Sequence, residues 1–134
     1  MGYGFATAIG AKVGKPGVPV VSINGDGGFG FGLSELSTLV KHDIPLITVV
    51  FNDNAYGNLL RFQRDDFGGR VVGSELANPD YQLLAKAFGI TGRKAETAGE
   101  LQTQVQESIK ANEPVLIEVP VGPMPDMFKA LGLR

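Results

Sequence analysis

Pro19-Val20-Val21-Ser22-Ile23-Asn24-Gly25-Asp26-Gly27-Gly28-Phe29-Gly30 joins a short β-branched run to a cluster of glycines. The run Pro19 to Asn24 has the composition of a buried strand. Beyond the glycines, Leu33, Leu36, Leu39 and Val40 fall on one face of a helix starting near Phe31. Pro45 then precedes a second continuous apolar strand, Leu46 to Phe51, which ends in the turn Asn52-Asp53-Asn54. Two buried strands therefore end in two polar turns, with one helical segment between them.

The same alternation continues in both directions. Upstream, Gly4 to Val13 is small and apolar and reads as a tightly packed helix, broken by Gly14-Lys15-Pro16-Gly17. Downstream, Ala55 to Phe62 reads as a short helix and Arg64 to Asn78 as a polar, Gly-rich loop. Asn78-Pro79 has the form of an N-cap with a first-turn proline. Tyr81, Leu84, Ala85 and Phe88 have the i, i+3, i+4, i+7 spacing of the next helix, closed by Gly89. A strand is expected around Ile90 to Ala95. Thr97-Ala98-Gly99-Glu100 has the form of a capping box opening a helix through Leu101, Val105 and Ile109. Val115 to Val121 is a third clear strand, and Pro120, Pro123 and Pro125 stiffen the tail. Strands alternating with helices, two of them continuous apolar runs, predict an α/β fold. The expected architecture is an open parallel sheet with helices on both faces, a three-layer, Rossmann- or flavodoxin-like arrangement.

Length and composition fit one soluble domain of 134 residues, with 43% hydrophobic and 19% charged residues. At a net charge of −2, with Lys and Arg scattered, no basic stripe suggests nucleic acid or a membrane surface. No apolar run approaches the roughly 20 residues that span a bilayer. Cysteines are absent and His42 is the single histidine, which excludes thiolate chemistry and His-based metal clusters. Met1 leads into a Gly/Ala-rich amphipathic stretch and not a signal peptide, so a cytoplasmic location is expected.

Ligands of open α/β sheets bind beyond the carboxyl ends of the strands. Asp26 and Asp53 are 27 positions apart, one strand–helix–strand unit, which could place both carboxylates at one edge of the sheet. Gly27, Gly28 and Gly30 let backbone N–H groups approach an anion closely, and the following helix adds its positive end. Carboxylates beside a phosphate repel it, and a divalent cation resolves the conflict. Mg²⁺ takes octahedral oxygen ligands, commonly one or two carboxylates plus phosphate oxygens. The residues thus suggest an Mg²⁺-bridged diphosphate. Gly25 to Gly30 also satisfies G-x-G-x-x-G, and Asp53 sits where a Rossmann fold holds ribose. A nicotinamide or flavin site is therefore the competing reading. Against it, Asp26 would face a metal-free pyrophosphate, and a helix precedes the first strand. Taken singly, each turn could also be purely structural, since Gly-Asp-Gly turns and strand-end aspartates often serve only to cap or turn the chain.

Gly25-Asp26-Gly27, then 24 residues, then Asn52-Asp53 resembles the paired motif of thiamine-diphosphate (ThDP) enzymes. Met1-Gly2-Tyr3-Gly4-Phe5-Ala6, Ala8-Ile9-Gly10-Ala11, Phe51 to Gly57 and Leu116-Ile117-Glu118-Val119 are similar to the acetolactate-synthase-like group. The resemblance covers nearly the whole chain. It implies that Asp26 and Asp53 are Mg²⁺ ligands through their carboxylates and Ala55 through its backbone carbonyl. Asp53 stands where the family has asparagine, which keeps an oxygen ligand and adds a negative charge. Gly25, Gly27 and Gly28 would meet the diphosphate, the latter two by backbone amides, with Tyr56 and Gly57 beside it. Met1 aligns with the apolar residue that props the cofactor, and Asn58 and Leu59 with the border of the reaction centre. His42 and Glu35 read as helix-end and helix-surface residues. Arg61, Arg64, Asp65 and Asp66 read as a solvated or interface loop, and Phe29, Phe31 and Phe62 as core.

The resemblance further implies that residues 1–134 form a single ThDP- and Mg²⁺-binding domain, a C-terminal portion of a larger 2-oxo acid decarboxylase or carboligase. A separate diphosphate-binding subunit of a two-chain decarboxylase is the alternative. Its partners would be a pyrimidine-binding domain on the same or a partner chain and a small 2-oxo acid. Such enzymes hold their sites between chains, so a homodimer or higher oligomer is expected.

Overall fold

A computed structural model describes residues 1–123 and 125–133. Four strands, β1 (Val21–Gly25), β2 (Ile47–Asn52), β3 (Thr91–Lys94) and β4 (Val115–Pro120), form one sheet in the order β1-β2-β4-β3. Every neighbouring pair is parallel. The helices are α1 (Tyr3–Gly14), α2 (Asp26–Gly30), α3 (Leu36–Lys41), α4 (Gly57–Asp65), α5 (Tyr81–Ala87), α6 (Ala98–Ala111) and α7 (Met127–Ala130).

The inner strands β2 and β4 are apolar along most of their length, because alternate side chains enter two different cores. Val50 and Leu116 pack with Phe5 and Ile9 of α1, Leu36 and Leu39 of α3, and Tyr81 and Ala85 of α5. Ile47, Val49, Val115 and Ile117 face the other way, where Leu101 and Val105 of α6 cover them. The expected open parallel sheet between helical layers is thus the observed fold. The run Pro19 to Asn24, expected as a buried strand, is instead the edge strand β1 and alternates: Ser22 and Asn24 are buried while Val21 and Ile23 are exposed, because only one of its faces packs on the core.

Several local expectations shift. Gly25 is extended (φ −78°, ψ 154°) and caps an unexpected short helix, α2 from Asp26, while the helix expected from Phe31 appears as a 3-10 turn at Leu33–Glu35 followed by α3. Phe29 explains why a Gly-rich segment coils here: it is fully buried, edge-on to Phe5 at 5.1 Å and 6.1 Å from Tyr81. Such aromatic packing outweighs the helix cost of glycine, about 1 kcal/mol per residue. The helix after the Asn52 turn runs from Gly57 to Asp65, later than expected. Asp80, not Asn78, is the N-cap of α5, accepting from Leu83 N at 2.8 Å. The Thr97–Glu100 capping box is present as read. On α1 the buried stripe is Phe5, Ala8, Ile9 and Lys12, while Val13 is exposed. Lys12 Nζ donates to Pro16 O (2.9 Å) and Val18 O (3.0 Å), fastening the turn that leads into β1.

Thr48, at the centre of β2, is fully buried and its Oγ1 has no hydrogen-bond partner among the described residues. An unsatisfied hydroxyl costs about 1–3 kcal/mol. Thr48→Val keeps the branched shape, so it should raise stability by about 1 kcal/mol. Urea denaturation checks this through a higher midpoint at unchanged slope.

Candidate functional site

The carboxyl ends of β1 and β2 lie side by side, with Gly25 opposite Phe51. The residues that follow each strand are therefore neighbours, and the two acids meet just beyond the sheet edge. Asp26 is 3% exposed. Asp53 is half-buried, and its carboxyl is pushed above the ordinary carboxylate range by burial and by the Asp26 charge beside it. The Ala55 N–H bonds to the Asp53 side chain and works in the opposite direction.

A cleft of about 220 Å³ gathers Met1, Gly25, Asp26, Gly27, Gly28, Asp53, Ala55, Tyr56 and Gly57, with Phe51, Val121 and Gly122. Of the residues singled out for binding or metal roles, Asp26, Gly27, Gly28, Asp53, Ala55, Tyr56, Gly57, Gly25 and Met1 lie on it, while Gly30 does not. No Lys or Arg is among the described residues lining it. Two adjoining carboxylates, one of them buried, thus meet in a cleft whose described lining holds no cationic side chain, while Arg61 and Arg64 line the adjoining hollow that also reaches Asp53. Among the described residues no group of three or more His, Cys, Asp or Glu side chains converges. A cation held here would take two carboxylates and complete its shell from carbonyl and ligand oxygens, a donor set suited to a small hard ion.

The backbone supplies the rest. Gly25 has no side chain to cap α2, so the first-turn amides receive no side-chain bond. Gly27 packs against the Tyr56 ring so closely that an added Cβ would lie 2.4 Å from Cδ1, whereas Gly25 and Gly28 face open space. Ala55 forms an isolated antiparallel bridge with Glu75. Its two bonds are Tyr56 N to Ser74 O and Leu76 N to Asn54 O (each 2.8 Å), and among the described residues no backbone N–H bonds to the Ala55 carbonyl.

This bridge brings in a third wall that the sequence reads as plain loop. Asn78 reaches back from it, its Nδ2 donating to Asp26 Oδ2 (2.6 Å) and Asn52 Oδ1 (2.9 Å), with Asn54 Oδ1 at 3.4 Å. Asn52 Nδ2 in turn donates to Glu118 Oε1 (2.8 Å), and Gln82 Nε2 to Glu118 Oε2 (2.9 Å). The available signal was Asp80, a second capping residue two positions after Asn78 that left the Asn78 side chain free for another role.

Other singled-out residues lie elsewhere. Asn58 and Leu59 are exposed and outside the cleft: Asn58 Oδ1 accepts from Arg61 Nη2 at 3.1 Å, and Leu59 lines a separate hollow with Phe62, Phe67 and Val72. Arg61 is not solvated; its side chain is 9% exposed, paired with Asp126 at 2.9 Å and lying 4.5 Å over the Phe62 ring. Arg64 is a surface residue, 3.5 Å from Glu75. Phe29 is core as expected, but Phe31 is exposed. His42 is exposed at the end of α3, and Glu35 accepts from Thr38 Oγ1 at the helix surface.

The raised Asp53 carboxyl makes a signed prediction. A group that binds its proton more tightly when folded stabilises the fold at low pH and loses that contribution as pH rises. Without metal, stability should therefore fall as pH rises from about 4, the ordinary carboxyl value, through the raised Asp53 value. Asp53→Asn should remove that component, gaining over wild type toward neutral pH and nothing at low pH. Urea midpoints in EDTA from pH 4 to 7 measure it; parallel curves would contradict it.

Residues 1–119 match the family described as thiamine pyrophosphate enzyme, C-terminal TPP binding domain. The chain is 36% identical over 124 residues to a probable acetolactate synthase large subunit of Methanocaldococcus jannaschii, covering 92% of this chain and 21% of that protein. It is 37% identical over 121 residues to the acetolactate synthase of Bacillus subtilis, covering 90% and 21%. Among solved structures it is similar to the thiamine diphosphate-dependent 4-hydroxybenzoylformate decarboxylase of Rhodococcus jostii RHA1. That likeness has a TM-score of 0.85 at 28% identity, over 94% of this chain and 24% of that one. The chain thus spans about a fifth of the length of the curated relatives it matches. The nicotinamide and flavin reading finds no support in these relatives.

Proposed function

The chain belongs to the thiamine pyrophosphate enzyme family, whose C-terminal TPP-binding domain it matches, and on that premise we propose that its cleft grips the cofactor's diphosphate through Mg²⁺. The observation that carries this reading is the meeting of Asp26 and Asp53 in a cleft whose described lining holds no cationic side chain. Asp26 and Asp53 would offer carboxylate oxygens to the ion, and Ala55 its backbone carbonyl. Gly27 and Gly28, in the first turn of α2, would present backbone amides to phosphate oxygens, beside the positive helix end. Tyr56 and Met1 form the apolar part of the wall. Bound ThDP supplies a nucleophilic carbon and an electron sink for 2-oxo acid chemistry. The chain's own part is to bind and orient the cofactor's charged end.

The larger function is that of the ThDP domain of an acetolactate-synthase-like decarboxylase or carboligase, a lyase or transferase. Similarity to long acetolactate synthases favours this over a free-standing diphosphate-binding subunit. A pyrimidine-binding domain, on the same or a partner chain, would complete the cofactor site. A homodimer or higher oligomer acting in the cytoplasm fits this reading. In keeping with it, no helix among the described residues is long and apolar enough to cross a membrane.

Because the glutamate that activates the cofactor in such enzymes is implied to lie on the pyrimidine-binding domain, and none lines this cleft among the described residues, the chain alone should bind the cofactor but turn nothing over. Incubation of the purified chain with Mg²⁺, ThDP and pyruvate should release no CO₂. Steady release above a no-protein control would contradict the division of labour. Heat on adding NAD or FAD, independent of Mg²⁺, would favour a dinucleotide site instead.

A further inference from the structure

We infer that Asn78 is a positioning residue for the metal site, holding the Asp26 carboxylate in the orientation that a cation requires. The inference rests on the reading of the cleft as an Mg²⁺–diphosphate site.

Asn78 lies 52 positions from Asp26 in sequence, yet its Nδ2 approaches Asp26 Oδ2 to 2.6 Å, among the shorter side-chain hydrogen bonds of the structure. The second N–H of the same nitrogen goes to Asn52 Oδ1 at 2.9 Å. The amide therefore joins the tips of both motif turns, one after β1 and one after β2. Its own position is fixed from both sides. Upstream, the Ala55–Glu75 bridge clamps residues 74–76 to residues 54–56. Downstream, Pro79 and the Asp80 cap start α5. Asn52 is held likewise: its Oδ1 also accepts from Asn54 N at 3.2 Å, and its Nδ2 donates to Glu118 Oε1.

Asp26 is nearly inaccessible, so protein groups and not solvent set the rotation of its carboxylate about χ2. Asn78 engages Oδ2 and so fixes which way the carboxylate turns, and it does so with a neutral donor. A lysine or arginine in its place would neutralise the carboxylate and compete with the cation. An uncharged amide orients the oxygen without doing so. Groups that orient metal ligands in this way typically contribute 10–100-fold to metal affinity.

The test is calorimetric titration of Mg²⁺ into the chain at saturating ThDP, for wild type, Asn78→Ala and the near-isosteric Asn78→Leu, with circular dichroism melts as the folding control. Asn78→Leu keeps the size, drops both N–H donors and adds no charge, so it decides the matter if Asn78→Ala does not fold. The expected result is a half-saturating Mg²⁺ concentration raised about 10–100-fold in both variants, with ThDP affinity at excess Mg²⁺ within about threefold of wild type. A merely structural role would lower the melting temperature and leave the Mg²⁺ requirement unchanged; that result in a folded variant overturns the inference while the site reading stands. A wild-type chain that binds ThDP without Mg²⁺ overturns the site reading, and the inference with it.

Discussion

Asp26→Asn should abolish Mg²⁺-dependent binding of ThDP to this chain. Asparagine preserves the shape and an acceptor for Asn78, so the 2.6 Å contact can persist in neutral form. What is lost is the charge on the more buried of the cleft's two carboxylates. Residues that only orient metal ligands contribute about 10–100-fold, and a direct ligand contributes at least the upper end of that range. The affinity at a fixed Mg²⁺ concentration should therefore fall by about 100-fold or more. The metal-free fold should be no weaker, because the substitution removes the like charge that pushes the Asp53 carboxyl upward. Calorimetry reports the first effect and a thermal melt in EDTA the second. Retained Mg²⁺-dependent binding would mean that the ion sits elsewhere, and a large loss of melting temperature would mean that Asp26 is structural.

Gly27→Ala should be the most damaging single-methyl change in the chain. The position is helical, where alanine is intrinsically preferred to glycine by about 1 kcal/mol. The surroundings reverse that preference: the new Cβ would lie 2.4 Å from Tyr56 Cδ1, 2.5 Å from Cε1 and 3.3 Å from Leu76 Cδ1. Either the ring moves or the α2 start recoils from it. Overpacking of this kind costs about 1–3 kcal/mol, and both responses distort the cleft wall on which Gly27, Gly28 and Tyr56 stand. The expected result is a lower urea midpoint together with weakened ThDP binding. A Gly27→Ala/Tyr56→Ala double-mutant cycle isolates the clash: the second substitution should restore much of the stability lost to the first. Additive losses would place the strain elsewhere.

How far the sequence reaches can be seen in which contacts are local. β2 and β4 were legible as strands because cover on both faces demands a largely apolar run, whereas the run Pro19 to Asn24 reads as equally buried yet forms the edge strand β1. The Asp26 and Asp53 turns were legible because each follows its strand directly, and parallel pairing alone then brings them together. The Thr97–Glu100 cap is a four-residue device and needs no tertiary context. What escaped depends on distant partners. Asn78 joins residues 52 and 26 positions away, so a local reading could see only a helix start. Arg61 is buried by an ion pair with Asp126, 65 positions away. Lys12 sits on a buried helical stripe because the turn after α1 folds two carbonyls over its ammonium group, which no periodicity announces. Phe31 reads as core by residue type but falls on the outer side, since α2 spends its buried position on Phe29.

The central claim is that this cleft binds a diphosphate through a divalent cation held by Asp26 and Asp53. The most direct test is calorimetric titration of ThDP into the wild-type chain, first with excess Mg²⁺ and then with EDTA. Binding heat with Mg²⁺ that vanishes in EDTA is the predicted result; ThDP binding of equal strength in both would contradict it.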